Sequence, residues 1–182
     1  MVERLHGKRV ALLVADGFEQ IELTEPKRAL EEAGASAKIV SPADGRVKGW
    51  KHTDLGDEFD VDVALDSASE SDFDALVLPG GVMNPDALRQ NEKAVAFVRG
   101  FFDHHKPVAA ICHGGWTLAE ADVLQGRRIT SYPSIQTDLK NAGAVWVDEE
   151  VVVDNGLVTS RNPHDLPAFT TKLVEEIAEG RH

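Results

Sequence analysis

The chain has one cysteine, one tyrosine and no apolar run longer than a strand. A lone cysteine cannot form an internal disulfide, and in a reducing compartment it stays a thiol, free for chemistry or oxidation. Without a run of about 18 or more apolar residues there is no candidate membrane helix. Residues 1–8 (MVERLHGK) lack the apolar segment of a secretory leader. A cytoplasmic protein is the expectation. Positive charge is also scarce: 19 Lys and Arg stand against 31 Asp and Glu, a formal net charge of −12. Nucleic-acid affinity rests largely on basic groups neutralising phosphates, so neither nucleic acid nor a membrane surface is an expected partner.

The 182 residues, 42% of them hydrophobic, suffice for one sizeable core, and a single domain over 1–182 is expected. The densest acidic stretch, residues 57–74 (DEFDVDVALDSASESDFD), lacks the central glycine of a calcium loop. Its carboxylates are read as solvated, because Phe59, Val61, Val63 and Leu65 alternate with polar positions as in a half-buried strand. The adjacent His104 and His105 lack the i, i+4 spacing of a helical metal site. No metal or other cofactor is expected.

Apolar runs at residues 9–15 (RVALLVA), 37–40, 75–78 (ALVL) and 108–111 (VAAI) read as buried parallel strands. Between them, Leu23, Ala29, Leu30 and Ala33 predict a helix that Pro26 starts or kinks. Val95, Phe97, Val98, Phe101 and Phe102 predict another over residues 92–105. Residues 45–65 are rich in turn formers and predict an antiparallel excursion. Further short strands are expected at 128–131, 145–147, 151–153 and 157–160. A helix over 135–142 and a last one entered through Asn162 and Pro163 complete the pattern. The alternation implies an α/β fold with a doubly wound, mostly parallel sheet between helices.

Ligands of such sheets bind outside the carboxyl ends of the strands. Three ends carry unusual residues: DGFEQIE with Glu19, PGG with Gly81, and CHGG with Cys112 and His113. A cysteine after an apolar strand and before glycines that accept a sharp turn meets the mechanical requirement of a nucleophile elbow. There a helix N-terminus favours thiolate over thiol. An inert core cysteine is the alternative, and the convergence of three ends favours chemistry. The N–H groups of Gly81 and His113 are candidate oxyanion donors. Trp116 is a possible pocket wall or a core residue, and His164 reads as a surface residue.

With these residues the sequence resembles the DJ-1/PfpI family, within the class I glutamine amidotransferase-like superfamily. The resemblance rests on ADGFEQIEL, FDALVLPGG, NPDALRQNEKAV, KPVAAICHGGWTLAEADVL, TSYPSIQTDLKNAGA and VTSRNPHDLPAF. It implies a flavodoxin-like sandwich in which the reactive cysteine hydrogen-bonds a protonated glutamate, here Glu19. Members are described as cysteine peptidases, glutathione-independent glyoxalases, deglycases and oxidative-stress proteins. Peptidase-type members pair the cysteine with the next histidine, here His113, and with an acid from across a subunit contact. The position of that acid holds Asp86, where related peptidases carry glutamate. His113 could instead be a structural histidine paired with Asp86 across a dimer contact.

The resemblance further implies a small carbonyl or glycated substrate and a homo-oligomer, at least a dimer. Chemistry on methylglyoxal-type carbonyls is the leading expectation. A cysteine peptidase or amidase, and a non-catalytic redox sensor or chaperone, are the alternatives.

Overall fold

A computed structural model describes residues 4–182; of the segment 1–8, residues 1–3 lie outside it. In chain order the elements are β1 (Arg9–Leu13), β2 (Phe18–Glu19), α1 (Gln20–Glu32), β3 (Ser36–Ser41), β4 (Arg46–Lys51), β5 (Asp54–Asp60), β6 (Val63–Ala64) and β7 (Ala75–Leu78). They continue with α2 (Met83–Arg89), α3 (Glu92–Asp103), β8 (Val108–Ile111), α4 (Gly115–Glu120), β9 (Arg128–Ile129) and α5 (Gln136–Asn141). The last are β10 (Val145–Trp146), β11 (Val152–Asp154), β12 (Leu157–Ser160) and α6 (Leu166–Glu179).

The central sheet has seven strands in the order β11-β12-β8-β7-β1-β3-β6, parallel except where β11 meets β12. Its strands are apolar at nearly every position because both faces are covered. Along the first strand Val10, Leu12 and Val14 enter the apolar cluster shared with Leu23 and Leu30 of α1 and Phe169, Leu173 and Ile177 of α6. Ala11, Leu13 and Ala15 enter the opposite one, with Val98 and Phe101 of α3, Leu118 of α4 and Leu139 of α5. This period of two lets one short strand serve both layers.

The antiparallel excursion is the β4–β5 hairpin, which pairs with β2 outside the main sheet. Phe59 packs against buried Phe18 with ring centroids 5.7 Å apart, pinning the hairpin to the core. The alternation of Phe59 to Leu65 is not one strand, however. The hairpin ends at Asp60, Val63 and Ala64 form the edge strand β6, and Leu65 begins a 3-10 turn. Its carboxylates largely meet cations or backbone: Glu58 and Asp60 pair with Arg46, and Asp66 pairs with Lys93.

Pro26 neither starts nor kinks α1 into two helices; it lies inside the helix, buried with Glu22, Leu23 and Leu30. The short helix α2 and the two-residue β2 carry too few residues to show a period, and sequence reading missed both.

Candidate active site

The elbow after β8 fixes Cys112 in a left-handed conformation, φ +60°, a region costly for a residue with a Cβ. This turn breaks the in-out alternation of the strand. Ile111 and Cys112 both fall in the apolar cluster on the α1 side. Gly114 makes the bend possible: a Cβ there would lie 2.5 Å from the Leu78 carbonyl oxygen. The Cys112 carbonyl accepts from Tyr132 N–H at 3.1 Å, tying the elbow to the segment after β9.

The neighbouring turn after β7 is equally crowded. A Cβ on Gly80 would meet Glu22 Oε1 at 2.5 Å and Cys112 Cβ at 2.6 Å, and Gly81 adopts φ +78°. The N–H groups of Gly81 and His113 both act on the cysteine sulfur in favour of its thiolate, which places the two expected oxyanion donors beside the reacting atom. Asn84, unremarked in the sequence, organises this turn. Fully buried, it accepts from Ala15 N–H at 2.7 Å and donates to the Pro79 and Gly80 carbonyls at 3.0 Å each. Asn84→Ala would leave Ala15 N–H and the Pro79 carbonyl without these partners and Gly80 O with only Glu19 N–H at 3.3 Å, and a loss of about 2–4 kcal/mol is expected in denaturant unfolding.

The carboxyl beside the cysteine belongs to Glu22, which corrects the expectation for Glu19. Glu19 precedes α1 in extended conformation, and its two oxygens each lie 3.3 Å from His52 N–H. Glu22 lies one turn before Pro26 on the helix face that meets the core, and it is fully buried. Its Oε1 accepts from Gly80 N–H at 3.0 Å; Oε2 is buried without a well-formed hydrogen bond, and the carboxyl interacts with the Cys112 side chain. Burial first, and the Glu19 charge second, push the Glu22 pKa up to about 8, so it holds a proton at neutral pH.

The thiol does not follow the expectation of a lowered pKa. Burial and the negative charge of an ionised Glu22 push Cys112 up, against the two N–H groups that favour thiolate. The helix α4 that follows has only six residues and begins after a 3-10 turn at Cys112–Gly114. While Glu22 keeps its proton, its charge does not oppose the thiolate, which leaves burial and the weaker influence of Glu19 to hold the thiol up.

The elbow brings His113 back toward the sulfur, with Nδ1 3.1 Å from Sγ, while Nε2 lies 3.2 Å from Ser134 Oγ. Burial lowers its pKa, keeping the ring neutral. Tyr132 stacks on it at 4.7 Å. Asp86 is not among the residues that line the cavity over Cys112: it is exposed on α2, and Gln90 Nε2 donates to it at 3.4 Å. Trp116 does not wall the cavity. Its ring meets the His113 edge at 5.3 Å, its Nε1–H donates to Asp138 at 2.8 Å, and the Arg89 guanidinium lies 5.6 Å above it.

A cavity of about 720 Å³ opens over Cys112. Trp50 and His52 from the hairpin, Met83, Tyr132 and His164 wall it; His164 is the exposed residue expected and also borders this cavity. Among the described residues no helix is long and apolar enough to cross a membrane.

The family model of the DJ-1/PfpI family matches residues 8–176. A deglycase of Thermococcus kodakarensis is 47% identical over 167 residues, covering 92% of this chain and 98% of its own. YraA of Bacillus subtilis, named provisionally as a cysteine protease, is 46% identical over 163 residues, covering 90% and 94%. A two-domain protein of Anabaena variabilis with DJ-1/ThiJ/PfpI-like and ferritin-like domains superposes with a TM-score of 0.88 at 38% identity. That match takes in 93% of this chain and spans 48% of the longer one.

Proposed function

The chain belongs to the DJ-1/PfpI family, and on that premise we propose that it is a cysteine-dependent enzyme acting on small reactive carbonyls, as a glutathione-independent glyoxalase or a deglycase. The observation that carries the reading is the buried, protonated Glu22 against Cys112 at a strained elbow. Such a pair can hand one proton back and forth without admitting solvent.

In the proposed reaction the Cys112 thiol passes its proton to the neutral His113 Nδ1, 3.1 Å away, as the sulfur attacks the aldehyde carbon of methylglyoxal, forming a C–S bond and an alkoxide. The Gly81 and His113 N–H groups, already directed at the sulfur, take the developing oxyanion. Glu22 protonates that oxygen, then as carboxylate removes the proton from the former aldehyde carbon and returns it to the adjacent carbon, while the hydroxyl proton passes to the oxygen on that adjacent carbon. The resulting thioester is cleaved by water to lactate and free thiol. The carboxyl proton of the lactic acid so formed restores Glu22, and the proton taken up by His113 leaves to solvent. A deglycase would apply the same groups to an adduct already formed on an amine or thiol.

The reading is tested by methylglyoxal consumption without glutathione, followed together with lactate. One lactate per methylglyoxal is expected, and wild-type protein without turnover overturns it.

The 3.1 Å contact between Cys112 Sγ and His113 Nδ1 favours a second reading, a peptidase or amidase in which His113 protonates the leaving amine. Asp86 could then join only from a second copy of the chain, in the homo-oligomer that the family resemblance implies. Hydrolysis of fluorogenic peptides, lost in His113→Ala, would establish that reading.

A further inference from the structure

The cavity over Cys112 contains no lysine or arginine among its lining residues. Its one carboxylate besides protonated Glu22 is Glu19, and among the described residues Glu19 meets the backbone N–H of His52 and forms no ion pair. Three imidazoles, of His52, His113 and His164, share the lining. Glu19 acts electrostatically on both Glu22 and Cys112, so its field reaches the reacting atoms. A carboxylate without a counterion in a mostly apolar cleft keeps much of its field, because low-dielectric walls focus it.

We propose that Glu19 is a charge filter: it admits neutral or cationic carbonyl compounds to Cys112 and turns away anionic ones such as 2-oxo acids. The same field disfavours retention of an anionic hydroxy acid, so it also speeds product release. Glu19 thus sets specificity and turnover from the cavity wall, while proton transfer belongs to Glu22. The carbonyl part of this inference rests on the function proposed above; the filter itself does not.

Since Cys112 is the only cysteine, its alkylation reports the filter without any assumption about activity. Rates would be measured with neutral iodoacetamide and anionic iodoacetate at low ionic strength, with the urea-unfolded chain as reference. In the folded wild type the amide-to-acetate rate ratio is expected to exceed the reference by about tenfold or more. In Glu19→Gln it should return to within about threefold. A change in sulfur reactivity affects both reagents alike and cancels in the ratio.

Salt gives a second measurement on wild type alone: the excess should shrink toward about 1 M, where the screening length is about 3 Å. An excess indifferent to both salt and Glu19→Gln is steric and overturns the proposal, as does a wild-type ratio equal to the reference. With carbonyls, wild type should turn over methylglyoxal and spare the anionic 2-oxoaldehyde 4,5-dioxopentanoate, and Glu19→Gln should improve the relative turnover of 4,5-dioxopentanoate by about tenfold. Wild type inactive on both removes the carbonyl function and leaves the alkylation ratio to decide the filter.

Discussion

Cys112→Ser is expected to reduce methylglyoxal turnover by roughly 10³-fold or more, with the thermal midpoint almost unchanged. Serine fits the space of the sulfur and tolerates φ +60° no better than cysteine, so the elbow and both N–H donors stay in place. Its hydroxyl, however, is not ionised by a neutral neighbour. Residual turnover then measures what the oxyanion donors and the cavity achieve alone. Cys112→Gly separates the strain from the chemistry. It should be equally inactive yet gain about 1 kcal/mol, because glycine occupies the left-handed region freely. Parallel assays of lactate and of denaturant midpoint check both statements, and a serine variant that keeps near wild-type turnover removes Cys112 from the mechanism.

Glu22→Gln is expected to slow turnover by about 10²-fold or more and to reverse part of the pH dependence of stability. The glutamine can still accept from Gly80 N–H, so the change removes the titrating proton and little else. In the folded protein Glu22 releases its proton near pH 8, against the model value of 4.5 taken for the unfolded chain. Between these values the native state binds one more proton than the unfolded state, so wild-type stability falls as pH rises. The fall is about 1.4 kcal/mol per pH unit, or about 3 kcal/mol from pH 4.5 to 7. The variant lacks this loss and should gain on wild type by that amount over the window. His113, its pKa lowered by burial, works in the opposite sense below its ordinary value of 6.5, but it is common to both proteins and cancels in the difference. Urea unfolding of both at pH 4.5, 6 and 7.5 gives the comparison; parallel curves would mean that Glu22 is ionised in the native state.

The apolar strands and the elbow were legible because their causes are local. Residues 75–78 and 108–111 are apolar throughout since both sheet faces are covered, and the glycines mark the bends. The acid was misplaced because nothing local distinguishes Glu19 from Glu22. Only the packing of α1 against the sheet decides which is swallowed and which looks into the cleft. Trp50 and His52 were invisible for a similar reason: they reach the cavity through the pairing of β2 with β4, a contact between segments that no periodicity announces. His164 arrives through the turn after β12, and Asn84 gives no sign in the sequence that its amide ties a strand end to the glycine turn.

The strand order has a bearing on the birth of the protein. β8 is held between β7, already synthesised when it emerges, and β12, which lies near the end of the chain. During synthesis the elbow therefore hangs from an unfinished sheet edge, and its sulfur behaves as an ordinary thiol with neither buried acid nor aligned donors fixed around it. The nascent chain passes through an interval in which its one cysteine is open to oxidants that the finished fold screens. Oxidation at that stage would meet the cysteine before the cavity and its buried acid are in place.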